Sequence, residues 1–363
     1  MHGLISLWNT IQSTLFPWLE EELDPLTEKQ KHFVSVIELM NPEPFLKQFD
    51  WIGNGRKPKK RLILLKAFVA KAVYDFTTTE ILVEYLKSCK NIRRLCGWET
   101  VWEIPSLSTF SRAFDQFAES GVLTAIHRVM LVERYGDKIA GHNSRDATAI
   151  EAREKPEKKE PKAPKLKGKR GRRKKGGKPP QIEPKRLELQ PERGLEANMA
   201  DLPQVCNVGT KKNSKGHCEH WIGYKLHADV IDGDIPVSLI LTSASVHDSQ
   251  AAIPLAQMTA GRVTSLYDLM DAAYDAEAIH RFVRSQGHVP LIDSNPRSGE
   301  KVLMDPAQDA RYNQRTSVER VFSMLKDNHG GRNVRVRGPK KVMAHLMFGI
   351  LVIIATQLFR LLV

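Results

Sequence analysis

The sequence predicts an α/β protein, in which a mixed β-sheet with flanking helices follows an α-helical N-terminal domain. Through residues 1–135, apolar residues recur at spacings of three and four, the pattern of amphipathic helices. Beyond residue 205, β-rich runs alternate with helical runs, as in a sheet covered by helices. The segment at about 151–205 breaks both patterns. We therefore expect two domains, 1–135 and 136–363, with a basic flexible insert in the second.

The overall charge indicates a polyanionic partner. The 363 residues include 55 Lys plus Arg and 42 Asp plus Glu, for a net charge of +13 and a pI near 9.5. This excess favours nucleic acid over an anionic membrane surface as the partner. Four scattered cysteines are too few for a disulfide framework, and the N-terminal segment lacks the pattern of an export signal. We expect a cytoplasmic, nucleoid-associated protein.

The N-terminal domain is predicted to be a helical bundle with a DNA-docking role. Apolar residues recur at spacings of three and four in KRLILLKAFVAKAVYDF (60–76), which predicts a helix. In IPSLSTFSRAFDQFAES (104–120), Ser106 or Ser108 is placed to cap a helix that begins near Thr109. This helix is either an ordinary bundle helix or one that reads DNA.

The insert carries most of the excess positive charge. Residues 151–193 contain 17 Lys plus Arg against seven Asp plus Glu, and residues 161–180 contain ten basic residues and no acidic one. Such a run cannot build a core, so it is either a solvated linker or an arm that grips DNA phosphates. The residues expected to contact DNA are Lys169, Arg170, Arg172, Arg173, Lys174 and Lys175.

The second domain is predicted to alternate strands and helices. The sequence Asp232-Gly233-Asp234 separates two β-rich runs and indicates a hairpin. The predicted strands are 138–150, 220–231, 235–244, a strand ending within 265–275, and 288–296. The predicted helices are SQAAIPLAQM after Asp248, DAEAIHRFVRSQ from Asp275, and RYNQRTSVERVFSMLK from Arg311.

The last of these helices, 311–326, combines a polar and an apolar stripe. At about 100° per residue, one sector of roughly 60° carries four polar side chains. They are Tyr312, Arg315, Glu319 and Lys326. A neighbouring stripe holds Val318, Val321, Phe322 and Leu325. The polar stripe is either a surface ion-pair array or one wall of an active site, and the helix alone leaves both open.

Three carboxylates from separate elements favour the active site. Asp146 lies on the first predicted strand, Asp271 at the end of a later strand, and Glu319 on the helix. Carboxylate oxygens suit hard divalent cations, and three such residues can hold two Mg²⁺ ions roughly 3.5–4 Å apart. Arg315 and Lys326 are placed to absorb charge that develops during phosphodiester chemistry.

The spacing Tyr312-x2-Arg315-x3-Glu319-x6-Lys326 resembles the Y-R-E-K signature of bacterial DDE transposases of the IS4/IS5 superfamily. The resemblance covers about residues 60–360. Sequence blocks around the first two aspartates are also similar to those of this group, namely RDAT at Asp146, GYKLH at 223–227, VHDS at 246–249 and DAAYD at 271–275. The short connection before Glu319 leaves no room for a large β-rich insertion, so the chain is closer to IS5-like groups.

The resemblance implies an RNase H-like catalytic domain with Asp146, Asp271 and Glu319 as the catalytic triad and metal ligands. It implies two Mg²⁺ or Mn²⁺ ions and a homodimer that holds the terminal inverted repeats and target DNA in a synaptic complex. The expected function is DNA strand cleavage and strand transfer at the ends of an insertion sequence. The alternatives are an RNase H-like nuclease and a catalytically inactive, sequence-specific DNA-binding protein.

Several other residues compete for roles in this site. Asp268 and Asp275 flank Asp271 and are alternative ligands, although Asp275 is placed to cap a helix and Asp268 lies within the strand. Asp248 is expected to cap the following helix, and His247 to approach the metals. Tyr312 either contacts DNA or packs at the edge of the core.

The C-terminal segment 346–359 has no charged residue. Its length of about fourteen residues falls short of the roughly 20 that span a bilayer. We expect a buried or partner-facing helix and no membrane.

Overall fold

The structure is a computed structural model that describes residues 2–53, 55, 57–158, 184–212, 216–296 and 302–362. The described part of the first 135 residues is helical, as the sequence predicts. A π-helical turn at Ile11–Leu15 joins the first two helices. The helices are α1 (His2–Thr10), α2 (Phe16–Glu22), α3 (Glu28–Met40), α4 (Glu43–Leu46), α5 (Arg61–Val73), α6 (Thr79–Ser88), α7 (Lys90–Cys96), α8 (Leu107–Ser120) and α9 (Val122–Tyr135).

The rest of the described chain forms a mixed sheet with helices. The strands are β1 (Ile139–Glu151), β2 (Asn207–Lys212), β3 (Cys218–Ile231), β4 (Ile235–Ser243), β5 (Thr264–Met270) and β6 (Val289–Ile292). The helices are α10 (Arg186–Leu189), α11 (Leu195–Asp201), α12 (Ser249–Ala260), α13 (Glu277–Ser285), α14 (Pro306–Tyr312), α15 (Thr316–Asn328) and α16 (Pro339–Arg360).

The sheet order is β2-β3-β1-β5-β6. The strand β4 also pairs with β3, along residues 224–231, whereas β2 pairs with residues 218–223. The strand β3 runs antiparallel to β1, β2 and β4, whereas β1 and β5, and β5 and β6, are parallel. This mixed sheet with flanking helices confirms the predicted α/β fold and is consistent with an RNase H-like domain. The predicted hairpin at Asp232-Gly233-Asp234 is present. The strand β2 was not predicted, because its sequence NVGTKK offers only one large apolar residue.

The helix α16 lies at the centre of the hydrophobic core. It packs against α3, α5 and α8 on one side and against β4 on the other, so one apolar cluster runs from the N-terminal helices to the sheet. Within the described chain it is the one helix long and apolar enough to cross a membrane, and 83% of its apolar window is buried. The prediction of a buried final helix is confirmed.

Part of the predicted flexible insert is folded. Residues 186–201 form α10 and α11, which pack on α12. Arg186 pairs with Asp201 at 2.7 Å, and the side chain of Gln190 donates to the backbone oxygen of Gln250 at 2.7 Å. The prediction was wrong for 184–205, because Leu187, Met199 and Leu202 pack against apolar side chains of α12 and its neighbours, in addition to these polar contacts. The basic residues Lys169, Arg170, Arg172, Arg173, Lys174 and Lys175 lie outside the described residues.

The predicted continuous helix 311–326 is interrupted. The helix α14 ends at Tyr312, a 3-10 turn follows at Asn313–Arg315, and α15 begins at Thr316. The hydroxyl of Ser144 on β1 donates to the backbone oxygen of Gln314 at 3.2 Å, which ties this turn to the sheet. The angles expected for Tyr312 and Arg315 therefore do not hold. The apolar stripe Val318, Val321, Phe322 and Leu325 is buried as predicted.

A buried ion-pair network joins β1, β3 and β5. The guanidinium of Arg145, which is fully buried, makes two hydrogen bonds of 2.7 Å to Asp229 and a longer contact of 3.4 Å to Asp268. Asp229 also accepts from Thr259 at 2.6 Å. Because each carboxylate has several donors, the charges remain compensated without water.

We expect Arg145→Met to lower the free energy of unfolding by about 3–5 kcal/mol, because it leaves two buried carboxylates without their cation. Arg320→Met is the matched control, since Arg320 pairs with Asp234 at the surface with 51% of its side chain exposed, and an exposed pair contributes about 0–1 kcal/mol. Urea unfolding of both variants tests this, and equal losses would contradict the structural role given to Arg145.

Candidate active site

The parallel pairing of β1 and β5 places Asp146 beside Asp271. The register aligns Arg145 with Met270, and the next residue on each strand is one of the two aspartates. The Asp146 side chain is 21% exposed, and its Oδ1 atom accepts a hydrogen bond of 2.7 Å from the Ala147 amide. Asp271 accepts one of 2.9 Å from the Ala273 amide, at the start of a 3-10 turn. Local backbone donors therefore orient both carboxylates.

Arg315 connects Asp146 on β1 with the third predicted carboxylate. Its guanidinium lies 3.8 Å from Asp146 Oδ2 and 2.9 Å from Glu319 Oε1. Glu319 lies in the first turn of α15 with half of its side chain exposed. The structure thus brings Asp146, Asp271 and Glu319 to one region, with Glu319 linked through Arg315. Among the described residues, no three His, Cys, Asp or Glu side chains already form a group able to hold a metal ion.

The clustered carboxylates have raised pKa values, chiefly because they are buried. Burial raises the pKa of Asp146 to about 7, and the charges of Asp271 and Asp248 add to this, against the Ala147 hydrogen bond and Arg315. Burial also raises the pKa of Asp271, with a further contribution from Asp248. Burial, more than the neighbouring charges, therefore disfavours the ionised form of both carboxyl groups.

Lys326 and Tyr312 lie on either side of Arg315 along the chain. Lys326 donates a hydrogen bond of 2.7 Å to the hydroxyl of Thr148, two residues beyond Asp146 on the same face of β1. Burial lowers the pKa of this lysine. The guanidinium carbon of Arg315 lies 5.7 Å from the centre of the Tyr312 ring, a cation–π distance. All four signature side chains thus stay near β1 despite the interrupted helix.

The structure assigns Asp248 a different environment from the one predicted. It occupies the position before α12 but makes no capping hydrogen bond with its side chain. Its Oδ1 atom instead pairs with Nζ of Lys225 on β3 at 2.8 Å, and Lys225 also donates to the Val246 oxygen at 3.0 Å. The capping prediction was wrong because this cation competes for the carboxylate. His247 bonds to the Ser249 hydroxyl at 2.8 Å.

Sequence reasoning did not single out Lys225. The signal was present in the block GYKLH at 223–227, which contains a lysine amid a strand that is otherwise largely buried. The pairing of Lys225 with Asp248 joins this block to VHDS at 246–249. Only the contact in the folded chain shows that these two sequence blocks are joined by an ion pair.

The two aspartates flanking Asp271 have structural partners. Burial by itself would raise the pKa of Asp268, but a hydrogen bond from His288 and the charge of Arg145 lower it below its ordinary value. Asp275 contacts His280 at 3.0 Å and accepts from the Asn295 amide at 3.0 Å. It does not cap α13, whose N-terminal flanking residue is Ala276. Asp271 is therefore the aspartate of this group that faces Asp146.

The chemistry of these donors fits a divalent cation. The groups are carboxylate oxygens, which hard cations such as Mg²⁺ and Mn²⁺ prefer. Burial raises the pKa of both Asp146 and Asp271, and a bound cation would stabilise the ionised form of both.

We expect Asp146→Asn to stabilise the protein in EDTA at pH 8 but not at pH 4. The folded-state pKa of about 7 exceeds the ordinary value of 3.8. The favourable contribution of this carboxyl group is therefore complete below about pH 4 and is lost as the pH rises through 7. The neutral amide avoids that loss, which is on the order of 2 kcal/mol. Thermal unfolding at both pH values measures it, with the exposed Glu84→Gln as control. A pH-independent difference would contradict the burial of charge at Asp146.

Two family models match the chain. The family model described as "Transposase DDE domain" matches residues 201–355, and "Transposase domain (DUF772)" matches residues 21–116. The first match includes Asp271 and Glu319, whereas Asp146 lies outside both. No curated protein matches the chain.

The two matches together cover more than half of the 363 residues and agree in their description. Both indicate transposition, and the DDE match indicates an enzyme that acts on DNA. The chain belongs to the DDE transposases of the IS4/IS5-type superfamily.

Proposed function

We propose that this protein is the transposase of an insertion sequence, and that it cleaves DNA strands at the ends of the element and joins the freed 3′ hydroxyls to target DNA. The observation that carries the proposal is the position of Arg315 between Asp146 and Glu319, at 3.8 and 2.9 Å. A cation already bridges two of the three acidic groups, beside a third whose pKa is raised by burial. Carboxylates able to hold metal ions beside a positioned cation suit phosphodiester chemistry.

We assign Asp146, Asp271 and Glu319 as the residues that hold the divalent metal. Two Mg²⁺ or Mn²⁺ ions fit three carboxylates contributed by separate elements. When bound, such ions supply an activated hydroxyl and neutralise the leaving oxygen. The backbone amides of Ala147 and Ala273 hold one oxygen of each aspartate, which leaves the other oxygen for the cation.

The cationic residues act on the DNA itself. Arg315 lies where negative charge develops on a phosphate placed against Asp146, and its half-buried position strengthens that interaction. Lys326, held by Thr148, supplies a second positive charge on the same side of β1. Tyr312 presents a partly exposed ring beside Arg315, suited to stacking against a base at the cleaved end. His247, whose charge acts on Asp271, lies at the same edge.

The partners follow from the reaction. The substrates are duplexes with terminal inverted repeats and target DNA, which the net charge of +13 favours. Both ends must be held together, so we propose a homodimer in the synaptic complex. The basic residues at 169–175 would add phosphate contacts. We propose that the protein acts in the bacterial cytoplasm at the nucleoid.

We expect Asp146→Asn, Asp271→Asn and Glu319→Gln each to lower Mg²⁺-dependent cleavage more than about 100-fold. Changing a residue that only supports a metal ligand typically costs about 10–100-fold, and loss of a ligand itself should cost more. DNA binding in EDTA should persist, because no phosphate contact is removed. Cleavage of a substrate with the native terminal repeats measures this, with the exposed Glu277→Gln as control. Normal cleavage by all three variants would refute the assignment.

The identity of the third carboxylate has its own test. If Glu319 is a ligand, Asp248→Asn should retain at least a tenth of the activity, since Asp248 is paired with Lys225 and is not itself needed to hold the metal. Loss of activity in Asp248→Asn together with normal activity in Glu319→Gln would transfer the role to Asp248. The same assay separates the alternatives: a nuclease cuts without joined product, and an inactive DNA-binding protein shifts the DNA without a nick.

A further inference from the structure

A basic cleft, separate from the carboxylate site, lies between the N-terminal helices and the segment that connects α15 to α16. Its volume is about 800 Å³, and its walls come from α5, the start of α6, α8, and residues 329–348. None of the catalytic carboxylates lines it. The strand β1 connects the two sites, because Asp146 lies within that strand and Arg153 follows its end.

Cationic side chains from four separate segments meet in this cleft. They are Lys71, Arg153, Arg335, Arg337 and Lys341. Glu80 and Asp115 are the acidic lining residues, and Asp115 is already paired with Lys341 at 2.8 Å. Arg153, Arg335 and Arg337 are exposed. Burial lowers the pKa of Lys71 to about 8, and Arg335 contributes in the same direction. The cleft therefore carries positive charge in excess of its own acids.

The neutral lining also suits phosphate. Five hydroxyl groups line the cleft, and hydroxyls commonly donate to phosphate oxygens in DNA complexes. They belong to Thr77, Thr78, Thr79, Ser108 and Ser111. The first turns of α6, α8 and α16 contribute lining residues as well, so the positive ends of three helix dipoles lie at its edge. These helices have 10, 14 and 22 residues.

The segment between α15 and α16, which carries Arg335 and Arg337, is fixed by hydrogen bonds at both of its ends in the absence of a ligand. The ring of His329 donates to the Ala72 oxygen at 3.0 Å, and the Gly331 amide donates to the Leu325 oxygen at 2.9 Å. At the other end, the carboxylate of Glu154 accepts from the Gly338 amide at 2.8 Å. Fixed backbone at both ends lowers the entropy cost of binding through Arg335 and Arg337.

We propose that this cleft binds the phosphate backbone of the duplex DNA whose end reaches the carboxylates. The inference rests on the proposed function for the identity of that duplex. Asp146 and Arg153 are seven residues apart in largely extended chain, or roughly 23 Å at about 3.3 Å per residue. Duplex DNA rises about 3.4 Å per base pair, so in a duplex that runs along β1 the contact falls about seven base pairs from the reacting phosphate. The cleft thus fixes the DNA segment that leads away from the reacting end.

Salt-dependent binding tests the proposal without chemistry. Fluorescence anisotropy in EDTA, with a mixed-sequence duplex of about 40 base pairs, gives the slope of log K against log salt, which changes by about 0.9 per phosphate contact. The double variant Arg335→Ala/Arg337→Ala should reduce that slope by about 2 and weaken binding at least tenfold. The matched control is Arg281→Ala/Arg284→Ala, which removes two exposed arginines from α13.

Equal slope changes in the two double variants, or no change in the cleft variant, would overturn the proposal. Thermal unfolding of each variant establishes that the fold is intact, and a slope is compared only for folded protein. Together with the cleavage assay, the salt slope separates this proposal from the proposed function. A chain that never cleaves DNA but shows the cleft-specific slope change refutes the proposed function alone. A chain that cleaves normally while its slope is insensitive to Arg335 and Arg337 refutes the cleft alone.

Discussion

The parallel pairing of β1 with β5 is the constraint on which the site depends. Asp146 and Asp271 lie 125 positions apart in the chain, and only this register makes them neighbours. Arg145, one residue before Asp146, points to the opposite face and binds Asp229 and Asp268. A slip of one residue would exchange the two faces and place Arg145 in the site and Asp146 in the core. The buried ion pairs therefore specify the register as well as joining the strands.

The site combines stable positioning with electrostatic strain. Backbone amides orient Asp146 and Asp271, while burial and neighbouring carboxylates raise their pKa values. Such strain is common where a protein keeps charged groups close for a ligand instead of for its own stability. Arg315 relieves part of it, since it contacts both Asp146 and Glu319. The exposed position of Glu319 leaves one side of the site open to a large substrate.

The central helix α16 holds the N-terminal helices against the sheet, where they form one wall of the basic cleft. Because α16 contacts α5 and α8 as well as β4, it fixes the helical region against the sheet through one continuous apolar core. The basic cleft forms where its first turn, the end of α15 and the starts of α6 and α8 meet. The same apolar packing thus supports two polar surfaces, the carboxylate site on β1 and the cationic cleft past its end.

The sequence by itself determined the fold class, most strands and helices, the buried final helix and the carboxylates of the candidate site, since these depend on local periodicity and motif spacing. It did not determine the break before α15, where Ser144 binds the Gln314 oxygen, or the partner of Asp248, which is Lys225. It also missed β2 and the folded part of the insert. These features depend on contacts between residues far apart in the chain. Only the tertiary structure decides such contacts, because their free energy exists only after distant segments have packed together.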